Sequence, residues 1–261
     1  MPDPYITKPK VYVVGRQIVV EEEVARFLED EGLVFSSDAP AAAEVLAEIA
    51  GRTCYMSFGK GRKSNREYIE NILTSKHGSV LEHAVWCLLI TGVSRALTHE
   101  LVRHRAGFGY SQLSQRYVDE SDARYVVPPL YQENEELRRK WQQTIEQTRQ
   151  AYVDLAEATI QYVQQKHPDM PPRDRRKWAR QAARSILPNA CETKIFVTGN
   201  ARSWRHFMEQ RGNVHADTEI RLLAVEVCRV LKQESPNIFH DLEITTESDG
   251  MPWVSVIHSK V

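Results

Sequence analysis

The sequence predicts an α+β fold, a single domain with a small, mostly antiparallel sheet packed by several long helices. Runs of strand character are few and far apart: Val11–Val14, Ala84–Val93, and the alternation through Cys191, Thr193, Ile195 and Val197. Long stretches of helical spacing separate them, above all 133–166 and 215–234, without the regular strand–helix alternation of a parallel α/β sheet. No repeat and no clear linker interrupts the 261 residues, so the chain is expected to be one domain, 1–261, with ample length for a core.

The elements follow in order. Residues up to Lys10 read as a loose arm, and Val11–Val14 as a strand. Glu21 to Glu31 carries Val24, Phe27 and Leu28 at helical spacing, and Ala41 to Ala50 is an alanine-rich helix. Arg52 to Phe58 leads into a flexible break at Gly59-Lys60-Gly61. Ser64 and Glu67 form a capping box for a helix ending near Lys76. Ala84 to Val93 is a buried strand. Ser94 then caps a helix expected to run through Arg105, with Leu97 and Leu101 packed and Gly107 as its stop. Residues 133–166 form a long helix halted by Pro168, Pro171 and Pro172. A helix over Lys177–Leu187 ends at Pro188, the Cys191–Val197 strand follows, Asn200 caps a helix through Arg211, and His215–Glu234 is the last helix.

Hydrophobic residues make up 42% and charged residues 26%, the balance of a water-soluble globular chain. A net charge of −1 argues against a dedicated nucleic-acid binder. Basic residues cluster locally, at 103–105 and 173–184, which suits a small anionic ligand better than a polyanion. The four cysteines, Cys54, Cys87, Cys191 and Cys228, form no CxxC pair, and the first residues lack a signal-peptide pattern. The longest apolar run, near Ala84–Ile90, is too short to span a bilayer. A cytoplasmic protein with reduced thiols and no membrane partner is expected.

The most informative stretch is Arg103-His104-Arg105 followed by a glycine-containing loop and then Tyr110-Ser111-Gln112-Leu113-Ser114-Gln115-Arg116-Tyr117. Arginine forks match phosphate oxygens, and hydroxyls and amides bond sugars and bases. Burying three basic groups together without an anion is costly, so the triplet points to a ligand. On the helix after Asn200, Trp204, Phe207, Met208 and Arg211 share one face. An arginine on such a stripe either snorkels or clasps an anion. Taken alone, His77-Gly78-Ser79-Val80-Leu81-Glu82-His83 reads as a solvated helix-to-strand turn.

These blocks resemble the flavin-dependent thymidylate synthases. The Arg-His-Arg triplet followed by a serine is that family's signature, with eight residues here instead of seven before Ser114. The extra residue is expected to be absorbed between Ala106 and Tyr110. The His-x-Ser-x-x-Glu-His stretch matches at His77, Ser79, Glu82 and His83. Arg184, Leu187, Pro188, Asn200, Arg202, Arg211 and His215 match a third block, and the recognisable similarity covers about residues 52–234.

The resemblance implies reductive methylation of dUMP to dTMP, with methylenetetrahydrofolate as carbon donor and NADPH as reductant through FAD. It implies dUMP contacts at Glu100, Arg103, Gln112, Leu113, Ser114, Gln115, Arg116, Arg184 and Arg211. Of these, Arg103, Ser114 and Arg211 are nearest the chemistry. FAD contacts are implied at Ser57, His77, Ser79, Glu82, Arg103, His104, Arg105, Ser111, Asn200, Arg202, His206 and His215. It further implies a homotetramer with shared sites, no metal, and no essential cysteine. Two rival readings stand beside it: a non-catalytic nucleotide- or RNA-binding module in which the same arginines hold phosphate, and a metal-dependent phosphohydrolase built on His83, His99, His104 and Asp217.

Overall fold

A computed structural model describes residues 3–246 and 250–261. The elements, in chain order, are β1 (Tyr5–Ile6), β2 (Lys10–Arg16), α1 (Glu21–Asp30), α2 (Ala42–Tyr55), α3 (Asn65–Thr74), a 3-10 turn (Gly78–His83), β3 (Val85–Ser94), α4 (Arg95–Leu101), β4 (Phe108–Gln112), β5 (Tyr125–Val126), α5 (Pro129–Gln132), α6 (Glu135–Lys166), α7 (Pro172–Ala183), a 3-10 turn (Arg184–Ile186), β6 (Glu192–Asn200), α8 (Ala201–Arg211), α9 (Thr218–Glu234), β7 (Leu242–Thr246) and β8 (Pro252–Val256). The α+β class is as the sequence predicts. A four-stranded sheet has the order β2-β3-β6-β4, and two-stranded sheets pair β1 with β5 and β7 with β8.

The chain divides into two compact units. The first comprises the segment up to Pro9, Thr91–Glu100 and Ser111–Ile195; the second comprises Lys10–Ile90, Leu101–Tyr110 and Phe196–Val261. Strands β3, β4 and β6 each continue from one into the other along the chain.

In the first unit, β1 and β5 pair in parallel, Tyr5 with Tyr125 and Ile6 with Val126. Tyr125, Ile145 and Cys191 form a buried core against which Tyr5 and Trp141 pack. Glu192 is buried but satisfied: Arg124 grips it through Nε and Nη2 at 2.9 and 2.8 Å, and the Gly92 amide donates to it at 2.9 Å. Asn134 caps the 32-residue α6 by accepting from the Leu137 amide. The proline cluster does more than stop that helix. Pro172 occupies the first turn of α7, where a missing N–H costs nothing, so α7 starts at 172 rather than 177.

In the second unit, Ser64 caps α3 by accepting from the Glu67 amide, as its spacing predicts. Helix α2 is longer than expected, running to Tyr55, with Met56 in the left-handed region as its end. Its extension is explained by Arg52, which pairs with Glu48 and is almost fully buried. The guanidinium also donates to the carbonyls of Ser57, Lys60 and Arg62, so one side chain holds the glycine-rich loop 57–62 in place. Trp86 packs on Phe239, and Trp204 packs edge-on against both Phe108 and Phe207. A hairpin pairs β7 and β8, Leu242 with Val256 through Thr246 with Pro252.

The largest departure from expectation concerns α4. Ser94 caps it by accepting from the Leu97 amide, as predicted, but the helix ends at Leu101 rather than Arg105. The Tyr110 hydroxyl lies 3.0 Å from the Leu101 carbonyl and 2.6 Å from that of His104. A side chain from β4 thus supplies the donor that another helical turn would have supplied. Arg103, His104 and Arg105 therefore occupy a turn, and His104 is not in helical line with Leu97 and Leu101. The last helix also starts late, at Thr218, capped by Asp217 accepting from the Glu219 amide; His215 precedes it.

Candidate active site

In the second unit, a cavity of about 730 Å³ is lined by Glu82, Arg103, His104, Arg105, Asn200, Arg202, His206 and Arg211, all named from sequence. The turn carrying the Arg-His-Arg triplet is tied to the start of α8. The Ser203 hydroxyl lies 2.7 Å from the Ala106 carbonyl and 2.8 Å from Asn200 Oδ1, and the Asn200 amide donates to the Gly107 carbonyl. Gly107 has φ +71°, and a Cβ there would run into Ser203 and Asn200, so only glycine lets the turn approach so closely. Asn200 is the cap of α8, accepting from the Ser203 amide at 2.9 Å.

His104 is the half-buried centre of this cavity. Its ring meets His206 and Phe207 edge-on, at centroid distances of 5.8 and 5.5 Å. Burial, reinforced by the positive charge of Arg211 and by His206, lowers its pKa to about 4. His104 is therefore neutral at physiological pH, and its Nε2 accepts a 3.1 Å hydrogen bond from Arg211 Nε. Arg211 is thereby aligned along a face whose other members, Trp204, Phe207 and Met208, are fully buried. Arg103 and Arg105 are exposed at the cavity. Arg202 is partly committed: it pairs with Glu82 at 2.6 Å and donates to a Val261 oxygen at 3.2 Å.

A second cavity in the same unit, about 490 Å³, collects Ser57, His77 and Ser79, and it too is lined by Arg202. Arg52 holds the loop bearing Ser57, and the 3-10 turn after α3 carries Ser79. Gly78 admits Arg202 and Val261 at a distance that any side chain would block. His215 lines neither cavity; its amide bonds Asn213 Oδ1 in an exposed turn.

The remaining predicted residues belong to the first unit. Gln115 and Arg184 line a cavity of about 440 Å³ together with Arg95 and His99. Gln115 is buried and its amide nitrogen reaches Cys191 Sγ at 3.6 Å. Gln112 donates to the Thr98 and Thr193 hydroxyls at 3.0 and 3.2 Å, which fixes its side chain inside the unit. Leu113 borders another cavity and bonds the Lys194 carbonyl through its amide. Ser114 opens a turn, its carbonyl accepting from the amides of Tyr117 and Val118. Arg116 lies over the Tyr117 ring at 5.7 Å, with its buried Nε lacking a partner among the described residues. Glu100 is half-buried on α4, and Ser111 is exposed on β4.

Sequence reasoning missed Ser203, Lys260 and Val261 at the larger cavity and Arg95 at the smaller one. Ser203 was legible in principle, three residues after an asparagine cap. Lys260 and Val261 were not, because only tertiary folding brings them to α8. Among the described residues, none of His83, His99, His104 and Asp217 belongs to a group of donors close enough to hold a metal ion, so the phosphohydrolase reading loses its ligand set.

The chemistry of the larger cavity is cationic. Arg103, Arg105, Arg202, Arg211 and Lys260 face one carboxylate, Glu82, and an imidazole that stays uncharged. Such a donor set suits a diphosphate or phosphomonoester beside a ring.

Residues 37–237 match the family described as thymidylate synthase complementing protein, Thy1. The chain is 47% identical over 228 residues to a flavin-dependent thymidylate synthase of Mycobacterium avium (strain 104), covering 86% of this chain and 89% of that one. A protein of the same name from Mycobacterium tuberculosis (strain ATCC 25618 / H37Rv) is 46% identical over the same shares. One from Mycobacterium marinum (strain ATCC BAA-535 / M) is 44% identical over 90% of this chain and 92% of its own. With the match running through most of the chain and through each of the motif blocks, the protein belongs to the flavin-dependent thymidylate synthase family.

Proposed function

We propose that this protein converts dUMP to dTMP, taking carbon from methylenetetrahydrofolate and reducing equivalents from NADPH. The observation that carries this reading is the arginine-lined cavity around a neutral His104. FAD fits that donor set: the arginines Arg103, Arg105 and Arg202 suit its diphosphate, and the His206 ring offers an exposed face beside His104. When bound, FAD carries hydride from the nicotinamide to the pyrimidine side of the reaction. Ser57, His77, Ser79, Glu82, Ser111, Asn200 and His215 complete the proposed flavin surroundings.

For the nucleotide we assign Glu100, Gln112, Leu113, Ser114, Gln115, Arg116 and Arg184, with Arg103 and Arg211 closest to the reacting ring. A guanidinium facing a uracil carbonyl stabilises the negative charge that develops when C5 becomes nucleophilic. Arg211 is suited to this because His104, being neutral, orients it without competing for the anion. The arrangement needs no thiolate. We further propose that the chain works as one domain, since the family match runs through both units, and that it acts as a cytoplasmic homotetramer.

The test is the visible absorption spectrum of purified protein. Bound FAD should be present, NADPH should bleach it, and dUMP should speed the bleaching. Protein that neither retains nor rebinds FAD would refute the assignment. Sedimentation velocity tests the tetramer separately.

A further inference from the structure

Glu70 on α3, His240 in the turn after α9, and His258 beyond β8 converge in the second unit, and none of the three lines either cavity there. His240 Nε2 lies 2.5 Å from one Glu70 oxygen and His258 Nε2 lies 3.1 Å from the other. One donor atom from each residue falls within 4.8 Å of the others; the two imidazoles are largely buried, and the Glu70 side chain is 45% exposed.

The tautomer of His240 follows from its other contact. Its Nδ1 is 2.7 Å from the Asn237 carbonyl, which can only accept, so Nδ1 carries the hydrogen. In a neutral ring, Nε2 is then a bare lone pair aimed at a carboxylate oxygen. Two acceptors at that distance repel unless a cation lies among them. A proton on His240 would satisfy its contact, and a neutral His258 carrying its hydrogen on Nε2 would donate to the other Glu70 oxygen. A single metal ion would satisfy both imidazoles and the carboxylate together.

The outer contacts match those of a metal site. A ligating histidine characteristically donates its second ring N–H to a backbone carbonyl, which fixes its orientation. Asn237 is itself held: its amide donates to Glu44 Oε1 at 2.7 Å and its side chain to Asn65 Oδ1 at 2.9 Å. The His258 amide donates to Asp241 Oδ2 at 3.0 Å, and Asp241 is locked by Arg205. Both histidines thus come from anchored backbone.

We propose that Glu70, His240 and His258 form a binding site for a divalent first-row transition ion, Zn2+ by preference. Two imidazoles and one carboxylate suit such an ion rather than Mg2+ or Ca2+, which demand oxygen ligands. Tetrahedral bonds of about 2.0–2.2 Å place donors roughly 3.3–3.6 Å apart, within a small side-chain rotation of the observed spread. Its consequence is structural. His258 is two residues from Lys260, whose amide bonds Glu209 Oε2, and three from Val261, whose oxygen Arg202 holds. An ion at this site pins the segment that borders the arginine-lined cavity.

The experiment uses the full chain, stripped with chelator and titrated with ZnCl2 by isothermal calorimetry. One Zn2+ per chain is expected, with affinity falling about 100-fold or more in His240→Ala, His258→Ala and Glu70→Gln. No binding by the wild-type chain, or binding that the three variants leave unchanged, would overturn the proposal; the first result would make the cation a proton. Should the variants fail to fold, X-ray absorption at the zinc edge of the loaded wild type decides. Two imidazole ligands support the site, and any other ligand set refutes it.

Discussion

Arg211 donates its Nε hydrogen to Nε2 of His104 across 3.1 Å, joining the end of α8 to the turn that follows α4. The bond requires an uncharged imidazole, and the cavity enforces one. The arginine is thus oriented by a neighbour that adds no charge of its own.

The first prediction concerns that imidazole. His104 should titrate near pH 4 in a histidine NMR titration. In Arg211→Gln its pKa should rise, without reaching the usual 6.5, because burial contributes more than Arg211 does. The folded pKa lies below the unfolded one, so the unfolded chain takes up the proton first as pH falls. Stability from this group is therefore lost between about pH 6.5 and 4, and His104→Gln should flatten that part of the stability–pH curve. A wild-type pKa near 6.5 would contradict the geometry.

Arg211→Ala should weaken dUMP binding far more than it destabilises the fold. Removing one partner of a largely desolvated charge pair costs about 3 kcal/mol, roughly a hundredfold in affinity. Calorimetric titration with dUMP alongside a urea melt separates the two effects. Unchanged affinity in a folded variant would show that Arg211 merely snorkels.

Arg205 makes the opposite case. It is fully enclosed, pairs with both oxygens of Asp241 at 2.6 and 2.8 Å, and donates to the Ile238 and His258 carbonyls. Burial alone would raise the Asp241 pKa, but the bonds and charge of Arg205 outweigh it and hold the carboxyl below the ordinary range. Arg205→Met should cost about 3–5 kcal/mol in chemical denaturation, since it strands a buried carboxylate. The pair's contribution is present above the unfolded carboxylate pKa of about 3.9 and disappears as pH falls through the lower folded value. A melt indistinguishable from wild type would show the pair to be energetically neutral.

Tyr110→Phe removes the hydroxyl that closes α4 at Leu101 and His104. One hydroxyl hydrogen, shared between the two carbonyls, is lost, and the expected cost is roughly 1–3 kcal/mol. The urea midpoint should fall with the slope unchanged. A midpoint at the wild-type value would mean that water replaces the hydroxyl without loss.

The thiols should be spectators. Burial pushes Cys191 up to about 12, assisted by Glu120, and Cys228 up to about 11, so both are protonated at neutral pH. Only Cys54 is exposed, and none forms a disulfide. A thiol reagent should label Cys54 promptly and the two buried residues only after denaturation. Substituting all four should preserve dTMP formation apart from packing losses; abolition of turnover by any single change in a folded, flavin-binding protein would require a thiolate mechanism.

Local signals in the sequence determined much of this protein. Ser64, Ser94, Asn134 and Asn200 cap helices because each carries a short acceptor just before a helical run, an interaction complete within four residues. Motif blocks were legible for the same reason: order and residue type survive without knowledge of packing. What only tertiary structure decided lies where a distant group completes a local element. The end of α4 depended on Tyr110, nine residues past Leu101, and the reach of α2 on Arg52 clasping carbonyls of the following loop. The paired strands β7 and β8 are short, and strand pairing depends on partners rather than on intrinsic preference. Nor does any spacing bring Glu70 to His258, 188 residues away. Such meetings are products of core packing, in which side chains far apart in the chain share one buried volume.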